Sequence, residues 1–170
     1  MKSEIWVLSM GGLKKQKVAT PTSSAEKSKE VKIVTKHVVT PSDIEKNPRL
    51  ITLLYIISLA RNGISEKALV NLLYLMRESG VNLGYNFIVL GNTPTSKDLL
   101  GDLTLLKYAG LVEVSENKKL LITSLGKELL SKTLALLGDQ ESAIKKLYET
   151  LYPKVAPIDV EIDLKSRSRR

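Results

Sequence analysis

TPTSKDLLGDLTLLKYAGLVEVSENKKLLITSLGKELL, residues Thr93–Leu130, carries the reading of this chain. Thr95 or Ser96 is suited to start a helix, because a short side-chain oxygen at that place accepts one of the unpaired first-turn amides. Leu99, Leu103 and Leu106 then recur at helical spacing, with Leu100 and Ala109 beside them, so one face is apolar. Gly110 stands where a helix closes in the left-handed conformation. Leu111-Val-Glu-Val114 and Leu120-Leu-Ile-Thr123 follow as two short apolar runs around the polar Ser115–Lys119, which is a hairpin signal. Thr123 or Ser124 opens another helix, to about Leu137.

Helix, hairpin, helix in that order is the back half of a winged helix-turn-helix domain. Upstream, Asn47 caps and Pro48 begins a helix bearing Leu50, Leu53, Leu54, Ile57 and Ala60, with Gly63 after its end. A second helix spans about Ser65–Ser79, with Ala68, Leu69, Leu72, Leu73 and Met76 on one stripe, and Gly80 closes it. Residues 81–90 form an extended excursion where an ordinary helix-turn-helix has only a short turn. The expected class is mainly α with a small β wing, an α+β fold with an additional C-terminal helix.

Outside that core the chain divides by composition. Residues 1–30 read as a flexible basic arm, since 11–30 are rich in Gly, Ser, Thr, Pro and Lys without apolar periodicity. The core runs from 31 to 137 and opens with a β-branched strand at 31–39. Residues 138–153 form an amphipathic helix that Pro153 stops, with Ile144, Leu147, Tyr148 and Leu151 on one stripe. That stripe packs on the chain's own core or on a second copy, and a homodimer is the expected arrangement. Residues 154–170 read as a basic tail containing a strand, because Ile158–Leu164 alternates apolar and acidic. Paired with the early strand, Asp159, Glu161 and Asp163 would face Lys32 and Lys36.

Net charge is +8 over 170 residues, but the ends hold most of it. Residues 1–36 have eight Lys against three Glu, residues 154–170 five bases against three acids, and the middle thirteen against twelve. With no cysteine, disulfides and thiolate metal sites are excluded, in keeping with a cytoplasmic protein. No run is long enough to span a membrane, and Ile5–Leu8 lacks the features of a signal peptide. His37 is the single histidine and reads as a packed or surface residue. Gly91–Lys97 lacks the second glycine and following hydroxyl of a phosphate loop, so it reads as a loop and cap. Asp98 and Asp102 lie one helical turn apart with no third ligand and read as a solvated face. No nucleophile–base pair is present, so neither an enzyme nor a cofactor is expected.

The candidate nucleic-acid contacts are Ser96, Lys97, Gly101, Thr104, Lys107 and Tyr108 on the Ser96–Ala109 helix, and Asn117, Lys118 and Lys119 on the wing. Lys reaches phosphate or guanine, and Thr contacts base edges or a thymine methyl. The tails add Lys14, Lys15, Lys17, Arg167, Arg169 and Arg170. Against this stand Asp98 and Asp102, which repel a phosphate backbone, and the lack of Arg, Asn or Gln on the helix.

ISEKALVNLLYLMRESG-VNLGYNF, a Pro/Ser-containing loop and KDLLGDLTLLKYAGLVEV together resemble the YwgA-type winged-helix proteins of archaea and the phage-associated, antitoxin-linked SocA-like group. Gly84–Phe87 matches their Gly-Tyr-x-Phe strand, and Asp102-Leu103 with Gly110–Glu113 matches their helix and its close. The aromatic of their usual loop is missing at Gly91–Ser96. The resemblance covers about residues 64–125 and implies a regulator or an antitoxin-like adaptor. The expected function is a winged-helix protein binding duplex DNA, as a transcription or chromatin-associated regulator. Its rival is an interaction module that docks a polymerase, partition complex or toxin on strand 158–164. A third reading is RNA or ribosome association through the basic tails.

Overall fold

The computed structural model describes residues 5–9, 12–16 and 40–168. Residues 5–16 belong to one unit, in which β1 (Ile5–Ser9) pairs antiparallel with β2 (Gly12–Gln16), Val7 opposite Lys14. The expected flexible arm is corrected there, since β2 is a strand. Its polar text hid it, because the apolar residues sit on its partner. The expected strand at 31–39, with Lys32, Lys36 and His37, lies outside the described residues, as does Lys17.

The second unit begins with a short helix α1 (Pro41–Glu45) and continues into α2 (Pro48–Leu59). Asn47 Oδ1 accepts from the Arg49 amide at 3.1 Å, and Pro48 occupies the first helical position, where no N–H is needed. Every residue from Leu50 to Ile57 is buried, so α2 is enclosed on all sides. A two-residue strand β3 (Ile64–Ser65) leads into α3 (Glu66–Glu78), capped by Ser65 Oγ. Gly63 precedes it at φ +77°, where a Cβ would meet Leu120 O at 3.0 Å, so the chain needs glycine to lie against the sheet.

Next come β4 (Ile88–Leu90) and β5 (Thr93–Thr95), an antiparallel hairpin, then α4 (Lys97–Tyr108), capped by Ser96. Gly84–Phe87 is not itself a strand; strand pairing starts at Ile88, and Gly84 lies at φ +78°. β6 (Val112–Val114) and β7 (Lys119–Ile122) follow as a hairpin, and β3 adds to β7, giving the order β3-β7-β6, all antiparallel. Thr123 caps α5 (Ser124–Thr133). Gly126 is required in α5, because a Cβ there would fall 2.3 Å from Leu111 O. The class is therefore mainly helical with small antiparallel sheets, α+β.

α6 (Asp139–Arg167) departs from expectation most. It runs through Pro153 and Pro157 as one helix, so neither the stop at Pro153 nor the strand at 158–164 exists. Both prolines are exposed, so the helix bonds they remove fall on the solvent side, where water takes the carbonyls. The alternating text hid a second period: Ile144, Tyr148, Leu151, Val155 and Asp159 are all buried, three or four residues apart. α6 packs along α3, and Leu147 is half-buried against the same core. The expected dimer-contact residues Ile144, Leu147, Tyr148 and Leu151 are thus spent on intrachain packing.

Candidate nucleic-acid interface

α4 is positioned by a buried polar clamp. Its inner face carries Leu99, Leu103 and Leu106, each at most 1 % exposed, and between them Asp102 is 6 % exposed. Arg49 of α2 donates through Nη2 to Asp102 Oδ1 at 3.1 Å, and its Nε lies 2.8 Å from Oδ2 as an ion pair. The Tyr85 hydroxyl donates to the same Oδ2 at 3.0 Å. Burial, and then the Asp102 charge, push the Tyr85 hydroxyl well above its ordinary range. For Arg49, burial pulls downward, yet bonding to Asp102 outweighs it and the guanidinium is held more firmly charged. Asp102 is therefore not on a solvated face, and its charge is answered inside the chain. Asp98 stays exposed and accepts from Asn86 Nδ2 at 3.1 Å.

The outer face of α4 is open. Lys97, Gly101, Thr104 and Tyr108 are all exposed, Tyr108 to 81 %, and their spacing sets them on one row. The Thr104 hydroxyl donates back to Leu100 O at 2.8 Å. Two of the expected contacts are withdrawn. Ser96 is 1 % exposed and its hydroxyl caps the helix, so it is not a surface donor. Lys107 is half-buried and bonds Glu66 Oε2 at 3.3 Å.

On the β6–β7 turn, Asn117 and Lys118 are exposed, and Lys118 takes φ +58°. Lys119 turns the other way: its Nζ is 2.7 Å from Asp163 Oδ2, tying the hairpin to α6. Asp159 Oδ1 accepts from the buried Ser65 amide at 2.8 Å, so α6 also anchors β3. Asp159, Glu161 and Asp163 were expected on one face of a strand opposite Lys32 and Lys36, which lie outside the described residues; on the helix, Asp159 and Asp163 serve β3 and β7, and Glu161 pairs with Lys165. Of the tail bases, Lys14 and Lys15 lie on β2 and Arg167 on the last turn of α6, while Arg169 and Arg170 lie outside the described residues.

A groove of about 700 Å3 opens where the start of α3, the end of α4, the β6–β7 hairpin and the end of α6 meet. Lys67, Lys107, Lys118 and Lys165 line it together with Glu66 and Glu116, around Val114, Leu120 and Ile162. Lys165 is paired with Glu161 at 2.5 Å, whereas Lys67 and Lys118 make no ion pair among the described residues. The groove thus sets two lysines outside any ion pair among the described residues, Lys67 and Lys118, beside an apolar floor and the carboxylates of Glu66 and Glu116. No group of three metal-ligating side chains occurs among the described residues, and no helix there is long and apolar enough to cross a membrane.

Sequence reasoning missed Arg49 and Tyr85 as the supports of α4, and Lys67 as a lining base. Only the context of Arg49 hinted at it: it is the lone charged residue of a helix made mostly of Leu and Ile. No protein-family model, curated protein or solved structure matches the chain.

Proposed function

We propose that this chain is a winged-helix DNA-binding protein, a transcription or chromatin-associated regulator, in which α4 enters the major groove and the β6–β7 hairpin is the wing. The succession α2, β3, α3, α4, β6, β7 with the strand order β3-β7-β6 supports the fold, the β4–β5 hairpin being an insertion before α4. One observation carries the reading. Asp102, the strongest objection on the helix, is turned into the core, and the outward row keeps a lysine, a threonine and a tyrosine. Lys97, Lys67 and Lys118 supply phosphate contacts, Thr104 and Tyr108 the base contacts. The test is binding of the full chain to a pool of genomic DNA fragments across a salt series. Fragments retained at high salt, and lost in Thr104→Ala/Tyr108→Ala, support it. Weak, unselective binding lost at moderate salt assigns the affinity to bulk charge and removes the reading.

A second reading, the protein-interaction module, draws on a different feature. Ile88, Val89 and Leu90 of β4 are exposed to 64 %, 49 % and 68 %, an unusual run of consecutive aliphatic residues at a surface. Docking on residues 158–164, as the alternating text implied, is replaced by docking on this hairpin, since 158–164 is helical.

A further inference from the structure

Among the described residues β4 has no second strand beside it, and its backbone geometry shows what that edge offers. β4 and β5 pair as Ile88 with Thr95, Val89 with Pro94 and Leu90 with Thr93. Pro94 has no N–H, so Val89–Pro94 must be the pair that exchanges no hydrogen bonds, and the alternation of an antiparallel ladder gives the bonds to Ile88 and Leu90. The N–H and C=O of Val89 then point away from β5, along the free edge. Natural edge strands are blunted by lysine, proline, a bulge or a cover. β4 has none of these residues, and β5, not β4, is the strand that packs on α3.

Charge selects the occupant. From Ser79 to Ser96 there is no charged side chain, although the chain as a whole carries +8. Most of that charge lies at the two ends of the sequence, and at this edge two copies bring no charged side chain of residues 79–96 against its like. Read antiparallel against itself, Ile-Val-Leu sets Val89 opposite Val89 and Ile88 opposite Leu90, apolar on apolar throughout.

We infer that β4 is a self-association edge, at which two copies pair antiparallel about a two-fold axis through Val89 to make a four-stranded sheet ordered β5-β4-β4-β5. The dyad falls where each Val89 donates its N–H to the other's carbonyl, the hydrogen-bonded position that pairing with Pro94 leaves outward. Phe87, just before β4, ties the start of the hairpin to α3: it packs edge-on to Tyr74 with ring centroids 5.7 Å apart, and Arg77 lies over its ring at 5.3 Å. Three aliphatic side chains bury far less than the roughly 800 Å2 per partner of a stable complex, so the dimer is weak and concentration-dependent. The inference stands independently of DNA binding.

Sedimentation velocity of the full chain from about 5 to about 300 µM, a range that spans weak association, tests it. Wild type is expected to shift reversibly from monomer toward dimer. Val89→Lys and Val89→Asp each stay monomeric at the top concentration, with unchanged circular dichroism, and Val89→Ile keeps the shift. Because residue 89 meets itself across the axis, an equimolar mixture of Val89→Lys and Val89→Asp regains dimer. A wild type monomeric throughout overturns the inference. So does a Val89→Lys protein that dimerises like wild type, or a mixture that stays monomeric.

Discussion

Replacing either partner of the Arg49–Asp102 pair should destabilise the protein unequally, and the structure sets the order. Asp102 accepts from Arg49 at 3.1 Å and from Tyr85 at 3.0 Å, with the Arg49 Nε 2.8 Å away. The arginine side chain is 37 % exposed and the aspartate 8 %. In Asp102→Ala the guanidinium turns to water, and the main loss is the buried Tyr85 hydroxyl left without its acceptor, about 2 kcal/mol. In Arg49→Ala a buried carboxylate keeps a single neutral donor, and the loss is about 3 kcal/mol, below that of a fully buried pair because Arg49 is partly solvated. The double variant should cost about 1–2 kcal/mol less than the two singles together, since residues in one network couple. Urea unfolding of the three variants and wild type gives each term. Additive losses, or an Arg49→Ala protein within about 0.5 kcal/mol of wild type, would refute the clamp.

Other expectations follow from single contacts. Asp159→Ala leaves the Ser65 amide buried without an acceptor and should cost about 1–3 kcal/mol in urea unfolding, with faster amide exchange at β3. Gly126→Ala forces a Cβ onto the Leu111 carbonyl and should cost about 3 kcal/mol, whereas Gly101→Ala, with open space around it in α4, should stabilise by about 0.5–1 kcal/mol. The Tyr85 hydroxyl ionises at higher pH folded than unfolded, so stability present below its ordinary value of 10.0 should fall as pH rises above it. Tyr85→Phe should therefore be less stable at neutral pH and lose less between about pH 10 and pH 11; a parallel alkaline loss in both proteins would contradict the assignment.

How much was legible follows the range of the forces involved. The helix starts at Asn47, Ser65, Ser96 and Thr123 could be read because a cap and its amides lie within three residues of one another. The β6–β7 hairpin was visible for the same reason. α6 was not, because Ile158–Leu164 satisfies two periods at once, and choosing between them required the core that buries Val155 and Asp159. Prolines at 153 and 157 argued for a break, and only their exposure explains why the helix continues. In the candidate site, the outward row of α4 came from spacing alone. The fate of the charges did not: Asp102 meets Arg49 from 53 residues away, Lys119 meets Asp163 from 44, and no local pattern announces either. Burial of the 144–151 stripe likewise needed α3 in place before its partner could be told from a second copy.

The central claim is that α4 reads duplex DNA through its outward face, and selection from a random duplex pool at fixed salt tests it most directly. Wild type should enrich one short motif over successive rounds. Thr104→Ala/Tyr108→Ala should lose that motif while keeping weak general affinity, a specificity cost of about 1–3 kcal/mol per base position. Enrichment of no motif by wild type, or the same motif selected equally well by the variant, would contradict the account.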